Sequence, residues 1–271
     1  IHVETGDNAG VEDDIKVFSN VNRDADASDN AVSITEAWIE HREQTIPVSI
    51  TAGKIDPTCF IDTNKYANDE TAQFLSHIFR NSPTIEFPDN SLGIRFGIDP
   101  LSFLAIEFIA MDGSFSALQF NFKPNFFDKP GNYRFFGWVN DNADDNTSGF
   151  GLSFDQEITD DIGLFFRYAW QNNGVNLEDE EFFFEQSYSM GIETAGGLWG
   201  READYLGFAF GEVFSSADHS EKHLELYYNF EVNKHLHISP NIQIILDPYG
   251  GDAVNGDSPI LILGIRAHVD F

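Results

Sequence analysis

His237, Ser239 and Asn241 stand two residues apart in HLHISPNIQIIL and so share one face of an extended strand. An imidazole beside a hydroxyl is the start of a hydrolytic constellation, with the histidine as base. No nucleophile motif surrounds them, and His223 and His268 are isolated on polar faces of their own. The chain is therefore not expected to be an enzyme. The ionic residues say more. Arg95, Arg167 and Arg266, and less clearly Arg134, fall on polar strand faces, as do Glu107, Glu185, Glu193, Glu225 and Glu231. Guanidinium forks facing carboxylates across water set up a transverse field and offer paired hydrogen bonds to hydroxyl-rich solutes. The competing reading is a set of wall charges solvated or paired to their neighbours. Tyr227, Phe165, Phe136 and Trp138 can present stacking surfaces where they face the same way.

The elements that must position these residues alternate with period two. SPILILGIRAHVDF sets Leu261, Leu263, Ile265, Ala267, Val269 and Phe271 against Ile262, Gly264, Arg266, His268 and Asp270. KHLELYYNFEV sets Leu224, Leu226, Tyr228, Phe230 and Val232 against His223, Glu225, Tyr227, Asn229 and Glu231. The pattern recurs along the chain, giving about fifteen strand candidates, with 1–5 and 13–19 the least regular. Most approach the roughly 9–11 residues that a tilted strand needs to cross a bilayer, longer than the usual ~5–6 of a soluble sheet. That many long strands close only around a space too wide for side chains to fill. Water then meets the polar faces and lipid the apolar ones, with Trp170, Tyr228 and Phe271 in lipid contact or an interfacial girdle. The expected fold is all-β: a transmembrane antiparallel β-barrel of the bacterial outer membrane with 14–16 strands, 1–271 forming one domain.

Composition narrows the alternatives. The formal charge of −30 argues against nucleic-acid binding. No apolar run reaches the ~20 residues of a membrane-spanning helix. Cys59 is the single cysteine, so no intrachain disulfide or thiolate metal cluster can form. The acidic runs DNADDN (141–146) and LEDEE (177–181) can hold calcium between head groups or subunits, yet neither has the spacing of a dedicated calcium loop. Solvated charge is the favoured reading, and no cofactor is expected. Connections alternate between short turns, such as 159–161 and 232–234, and longer loops on the opposite side, as outer-membrane barrels do. The longest runs from Ile55 to Asn90. Within it NDETAQFLSHIFR predicts a helix over 69–80, with Asp69 and Glu70 at its positive end and Pro83 after its stop. A connection of this length is usually functional, and folded inward it would narrow the lumen; a surface cap or subunit contact is the alternative.

AGKIDPTCFIDTNKYANDETAQFLSHIFRNSPTIEFP resembles the G-x-x-D…F-D-x-N…F-L stretch of the carbohydrate-selective porin family (OprB type). SPNIQIILDPYGGD followed by LILGIRAHVDF resembles that family's C-terminal signature, a P-x-x-Q-x-I-x-x-P-x-G strand and a last strand ending in Phe. The resemblance implies a sixteen-stranded parent, with N-terminal strand or strands outside this sequence, possible homotrimers, and passive diffusion of sugars or other small solutes. It places Asp62 and Asn64 on the Asp and Asn of F-D-x-N, where they bind solute or pin the loop to the wall. Pore-lining Arg95, Glu107, Arg134, Arg167, Glu225, Tyr227 and Arg266 would then face the solute. Inorganic ions or carboxylates remain open as solutes. So does a sealed barrel acting as adhesin or scaffold, and a soluble acidic β protein.

Overall fold

The computed structural model describes the chain apart from residues 5–10, 12–13, 23–31, 44, 86, 114, 143–144, 177–182, 216–218, 252–258 and 271. The acidic run 177–181 and the terminal Phe271 thus lie outside the described residues, as do two positions of the run 141–146. The strands are β1 (His2–Glu4), β2 (Ser33–Arg42), β3 (Val48–Ile55), β4 (Ser91–Leu101), β5 (Leu104–Met111), β6 (Phe115–Phe122), β7 (Asn125–Phe126) and β8 (Lys129–Asn142). They continue with β9 (Asp145–Glu157), β10 (Ile162–Asn176), β11 (Phe183–Ala195), β12 (Tyr205–Ser215), β13 (Ser220–Asn233), β14 (Leu236–Leu246) and β15 (Ile260–Val269). Each pairs antiparallel with the next, except that β7 only prolongs the hairpin onto β8 while β6 pairs β8 directly. Of the candidate strand 13–19, the described residues 14–19 are instead an irregular segment.

Burial along these strands is inverted relative to a soluble sheet. On β13, Glu221, His223, Glu225, Tyr227 and Asn229 are buried, while Leu226 and Phe230 are exposed. On β15 the outward residues Leu263 and Ile265 are 72 % and 77 % exposed. A continuous apolar surface of this kind is stable only against hydrocarbon, since in water it would be an aggregation surface. Aromatic pairs spread over it, among them Tyr133–Phe154 at 4.8 Å and Phe150–Trp170 at 5.7 Å between ring centroids. The sheet is thus the wall of a transmembrane barrel, and its polar face looks inward.

What the wall surrounds is mostly chain. The connection from β3 to β4 bonds the inner faces of β6, β9, β10, β11, β13 and β15, so the sheet curls round it. Its helix is shorter than the predicted 69–80: α1 covers His77–Arg80, and 70–73 form only a turn. The reason is competition for backbone donors. The Glu225 carboxylate takes the N–H groups of Leu75 and Ser76, inside the predicted helix, while Gln73 Oε1 only caps those of Asn68 and Asp69 at its start. Side-chain acceptors that capture these donors replace the i→i−4 ladder.

The turn between β11 and β12 is closed by Asp204. Its carboxylate receives Arg201, the Tyr228 hydroxyl and the Glu231 N–H, and the Arg201 guanidinium holds it down at about 2. That explains how GGLWGRE, long for a turn on this side, stays compact.

Candidate functional site

The lumen is the candidate site, and its inner wall carries the sequence-predicted residues. Arg95 on β4 forks onto Glu107 of β5, with two bonds of 2.6 Å. It also reaches Glu40 at 3.1 Å and Ser49 at 2.8 Å. Two carboxylates therefore flank one guanidinium, leaving that part of the wall acidic. Arg134 on β8 pairs with Asp155 of β9 at 2.6 Å.

The remaining predicted residues meet the inward connection rather than open space. Arg167 on β10 is 1 % exposed; its Nε lies 3.0 Å from Asp62 Oδ1, and Nη1 and Nη2 donate to the carbonyls of Phe79 and Asp62. Asp62 Oδ2 accepts the Ser82 N–H at 2.6 Å, and its own N–H goes to Gln119 of β6. Asn64 donates to Ser153 Oγ and Phe154 O of β9. Both F-D-x-N residues thus hold the connection against the wall. Asp62 sits at φ +60°, a backbone state that needs such over-determination in a residue with a side chain.

Glu225 on β13 accepts the N–H groups of Leu75 and Ser76 at 2.8 and 2.9 Å, and the Asn241 amide. Tyr227 gives its hydroxyl to Glu193 and stands edge-on to Phe74, with ring centroids 4.8 Å apart. Arg266 on β15 donates to the carbonyls of Glu70 and Gln73. Phe136, Trp138 and Phe165 are buried as well. Apolar residues of the connection, Phe74, Ile78 and Phe79, pack with Phe165, Ala209 and Val213 of the wall. A Cβ on Gly211 would stand 2.7 Å from Ile78 Cδ1, so the missing side chain is what admits α1 to the wall.

Periodicity could not reveal two further inward segments. Residues 14–22 run along β13 and β14, with Phe18, Ser19 and Val21 buried. Pro248–Gly251, after β14, turns in so that Tyr249 is buried against Phe18. The signal for the second was the DPYGG stretch, whose Gly pair suits a left-handed turn. For the first there was none.

A polar cleft of about 310 Å³ remains between the connection and the β2–β3 side of the wall. Lys54 and Arg80 face it with Asp56, Asp89, Asn81 and Asn90. Nearby, Cys59 is accessible on one side, but burial of its sulfur and the charges of Asp56, Glu36 and Glu70 push the thiol up to about 12.

His237 bonds the Asn229 amide and not Ser239. A different trio has hydrolase-like connectivity: Ser76 Oγ lies 3.2 Å from His223 Nδ1, and His223 Nε2 lies 2.6 Å from Glu221. All three are at most 1 % exposed, and backbone donors crowd Glu221, so no substrate carbonyl can approach. Among the described residues no cluster of His, Cys, Asp and Glu is arranged to hold a metal ion.

Similarity to known proteins agrees with this architecture. A protein of Aquifex aeolicus (strain VF5) described as uncharacterized is 27 % identical over 201 residues, 72 % of this chain and 59 % of its own length. The chain therefore spans less than two thirds of that relative. The high-pH structure of Pseudomonas putida OprB superposes with a TM-score of 0.79 at 16 % identity, over 94 % of this chain and 77 % of that one. Its low-pH structure gives 0.64 at 17 %, over 89 % and 68 %. An anion-selective porin from Comamonas acidovorans gives 0.50 at 10 %, over 83 % and 75 %. At such identities these matches speak for the fold. The family itself is fixed by sequence over residues 131–271, more than half of the chain: the protein belongs to the carbohydrate-selective porins of the OprB family, which are channels and not enzymes.

Proposed function

We propose that the protein is an outer-membrane porin through which small polar solutes, neutral sugars first, diffuse passively. The observation that carries this reading is the polar cleft beside the connection, bounded by both charge signs and by amides. Hydroxyl-rich neutral solutes can trade water for such donors and acceptors without a desolvated charge of their own. Residues 56–90 act as the constriction. Homotrimeric assembly belongs to the same reading and rests on family membership; cross-linking in vesicles that yields single chains only would remove it. Reconstitution tests the channel. Single-channel conductance and vesicle swelling in glucose are expected. The net charge and the two acids around Arg95 favour cations, so a reversal potential in a salt gradient that shows anion preference overturns that part.

One observation favours a second reading, a sealed barrel serving as scaffold. Arg167, Tyr227 and Glu225 are at most 1 % exposed, covered by the inward segments. It requires that the reconstituted protein conduct no current and pass no sugar.

A further inference from the structure

Among the described residues three separate connections enter the lumen, and one carboxylate meets two of them directly and the third through His223. Glu221 on β13 is 0 % exposed. Its Oε2 accepts the N–H of Phe18 at 2.8 Å and of Tyr249 at 2.7 Å. Its Oε1 accepts the N–H of Ser19 at 3.0 Å and lies 2.6 Å from His223 Nε2. The other nitrogen of His223 meets Ser76 Oγ, at the foot of α1. Segments 14–22 and 248–251 thus converge on Glu221 itself, and segment 56–90 joins them through His223.

Neighbouring bonds tie the same segments to one another. Asn20 O accepts the His77 N–H at 2.9 Å, and Val21 O accepts Gln243 Nε2 at 3.0 Å. Phe18 and Tyr249 pack ring on ring at 5.0 Å, with the Lys16 ammonium 4.0 Å from the Tyr249 centroid. Asp247 and Tyr249 hold φ of +53° and +55°, a conformation costly for residues with a β-carbon. Strain of this sort persists only where surrounding bonds enforce it, and it gathers at functional elements. Here the enforcing acceptor is Glu221. Because the carboxylate's partners on 18, 19 and 249 are backbone N–H groups, an anion with two free oxygens is required. An amide in its place would turn one acceptor into a donor facing donors.

We propose that Glu221 is a positioning residue for permeation: it binds three inward connections into one plug, so the size limit for solutes is set at β13 as well as by residues 56–90. This rests on the diffusion reading above. With Glu221→Gln the segments 14–22 and 248–251 loosen, and space opens beside β13 and β14 where they now fill the lumen.

The test is swelling of vesicles carrying the reconstituted protein, with glucose and raffinose as probes, reported as the raffinose-to-glucose rate ratio. Glu221→Gln is expected to raise that ratio about tenfold, the scale on which charge-assisted bonds weaken to neutral ones. Gln243→Ala raises it less, through the single bond to Val21. Asp204→Asn, at the opposite rim, loosens the barrel without touching the plug and leaves the ratio unchanged. A folded Glu221→Gln protein with the parental ratio overturns the proposal, as does an Asp204→Asn protein that shifts it equally. If Glu221→Gln does not insert, Gln243→Ala decides, and an unchanged ratio there is equally fatal. A parent protein that passes no glucose removes the diffusion reading itself. From that silent background, flux gained in Glu221→Gln still supports the shared plug, and no gain overturns it.

Discussion

Replacing Asp62 by alanine isolates the most buried cation of the lumen. Arg167 would keep the carbonyls of Asp62 and Phe79 but lose the carboxylate it bonds at 3.0 Å, and Ser82 would lose the acceptor of its N–H at 2.6 Å. Breaking a buried pair by removing one partner costs about 3–5 kcal/mol, because a charge is left uncompensated. Even the lower figure lowers the docked-to-released ratio of the connection by about a hundredfold. The wall ladders are untouched, so the barrel should persist and the connection alone should come loose. Hydrogen exchange in vesicles reads this directly. The N–H groups of Leu75 and Ser76 are bonded to Glu225, far from Asp62 along the chain, and exchange there reports release of the whole connection. Asp62→Ala is expected to speed exchange at both by about a hundredfold, in line with that free energy. Adding Arg167→Met removes the stranded charge and should restore more than half of the protection, a coupling that a double-mutant cycle measures. Faster exchange at Ser82 alone, or a double variant as damaged as the sum of the singles, would refute the reasoning.

Other expectations are shorter. Gly211→Val puts methyl groups where Ile78 lies, so α1 should be displaced and conductance should rise while the wall's circular dichroism stays constant. The Asp204 carboxyl is held at about 2, below its unfolded value near 3.8, so its stabilisation is present above pH 4. It should fade as pH falls from 4 through 2, and Asp204→Asn should flatten that limb of the unfolding midpoint against pH. Cys59, with its thiol pushed up to about 12, should react with maleimide at least about tenfold more slowly than a free thiol at pH 8. The gap should close as pH rises toward 12, and equal rates at pH 8 would contradict the electrostatic account.

The wall was readable because alternation reports directly which face meets water. Arg95, Arg167, Glu225, Tyr227 and Arg266 all point inward as their parity requires. Parity cannot say what an inward side chain meets. Arg167 and Glu225 look alike whether they border an open channel or grip a carbonyl and two amides of another segment. NDETAQFLSHIFR predicts a helix over 69–80; Phe74 and Ile78 are indeed buried, but Glu225 takes the N–H groups of Leu75 and Ser76 and leaves one turn. Segment 14–22 was hidden for a related reason. Its bonds to Glu221, Gln243 and His77 are made by its own backbone, which leaves little trace in side-chain pattern. Glu221 shares the parity of Glu225 four residues away, and that was the one available hint.

The inward connections have a consequence for how the molecule is built. Leu75 and Ser76 stand 150 and 149 residues before Glu225, and Phe18 stands 203 before Glu221. Their acceptors emerge many residues later, on β13. The early segments must therefore wait, unsatisfied, until β13 to β15 arrive, and must already lie on the inner side when the sheet curls shut. Contacts of such sequence separation are slow to form. Membrane insertion and filling of the interior are then a single late event, and a factor that holds the nascent sheet open would act on it most strongly.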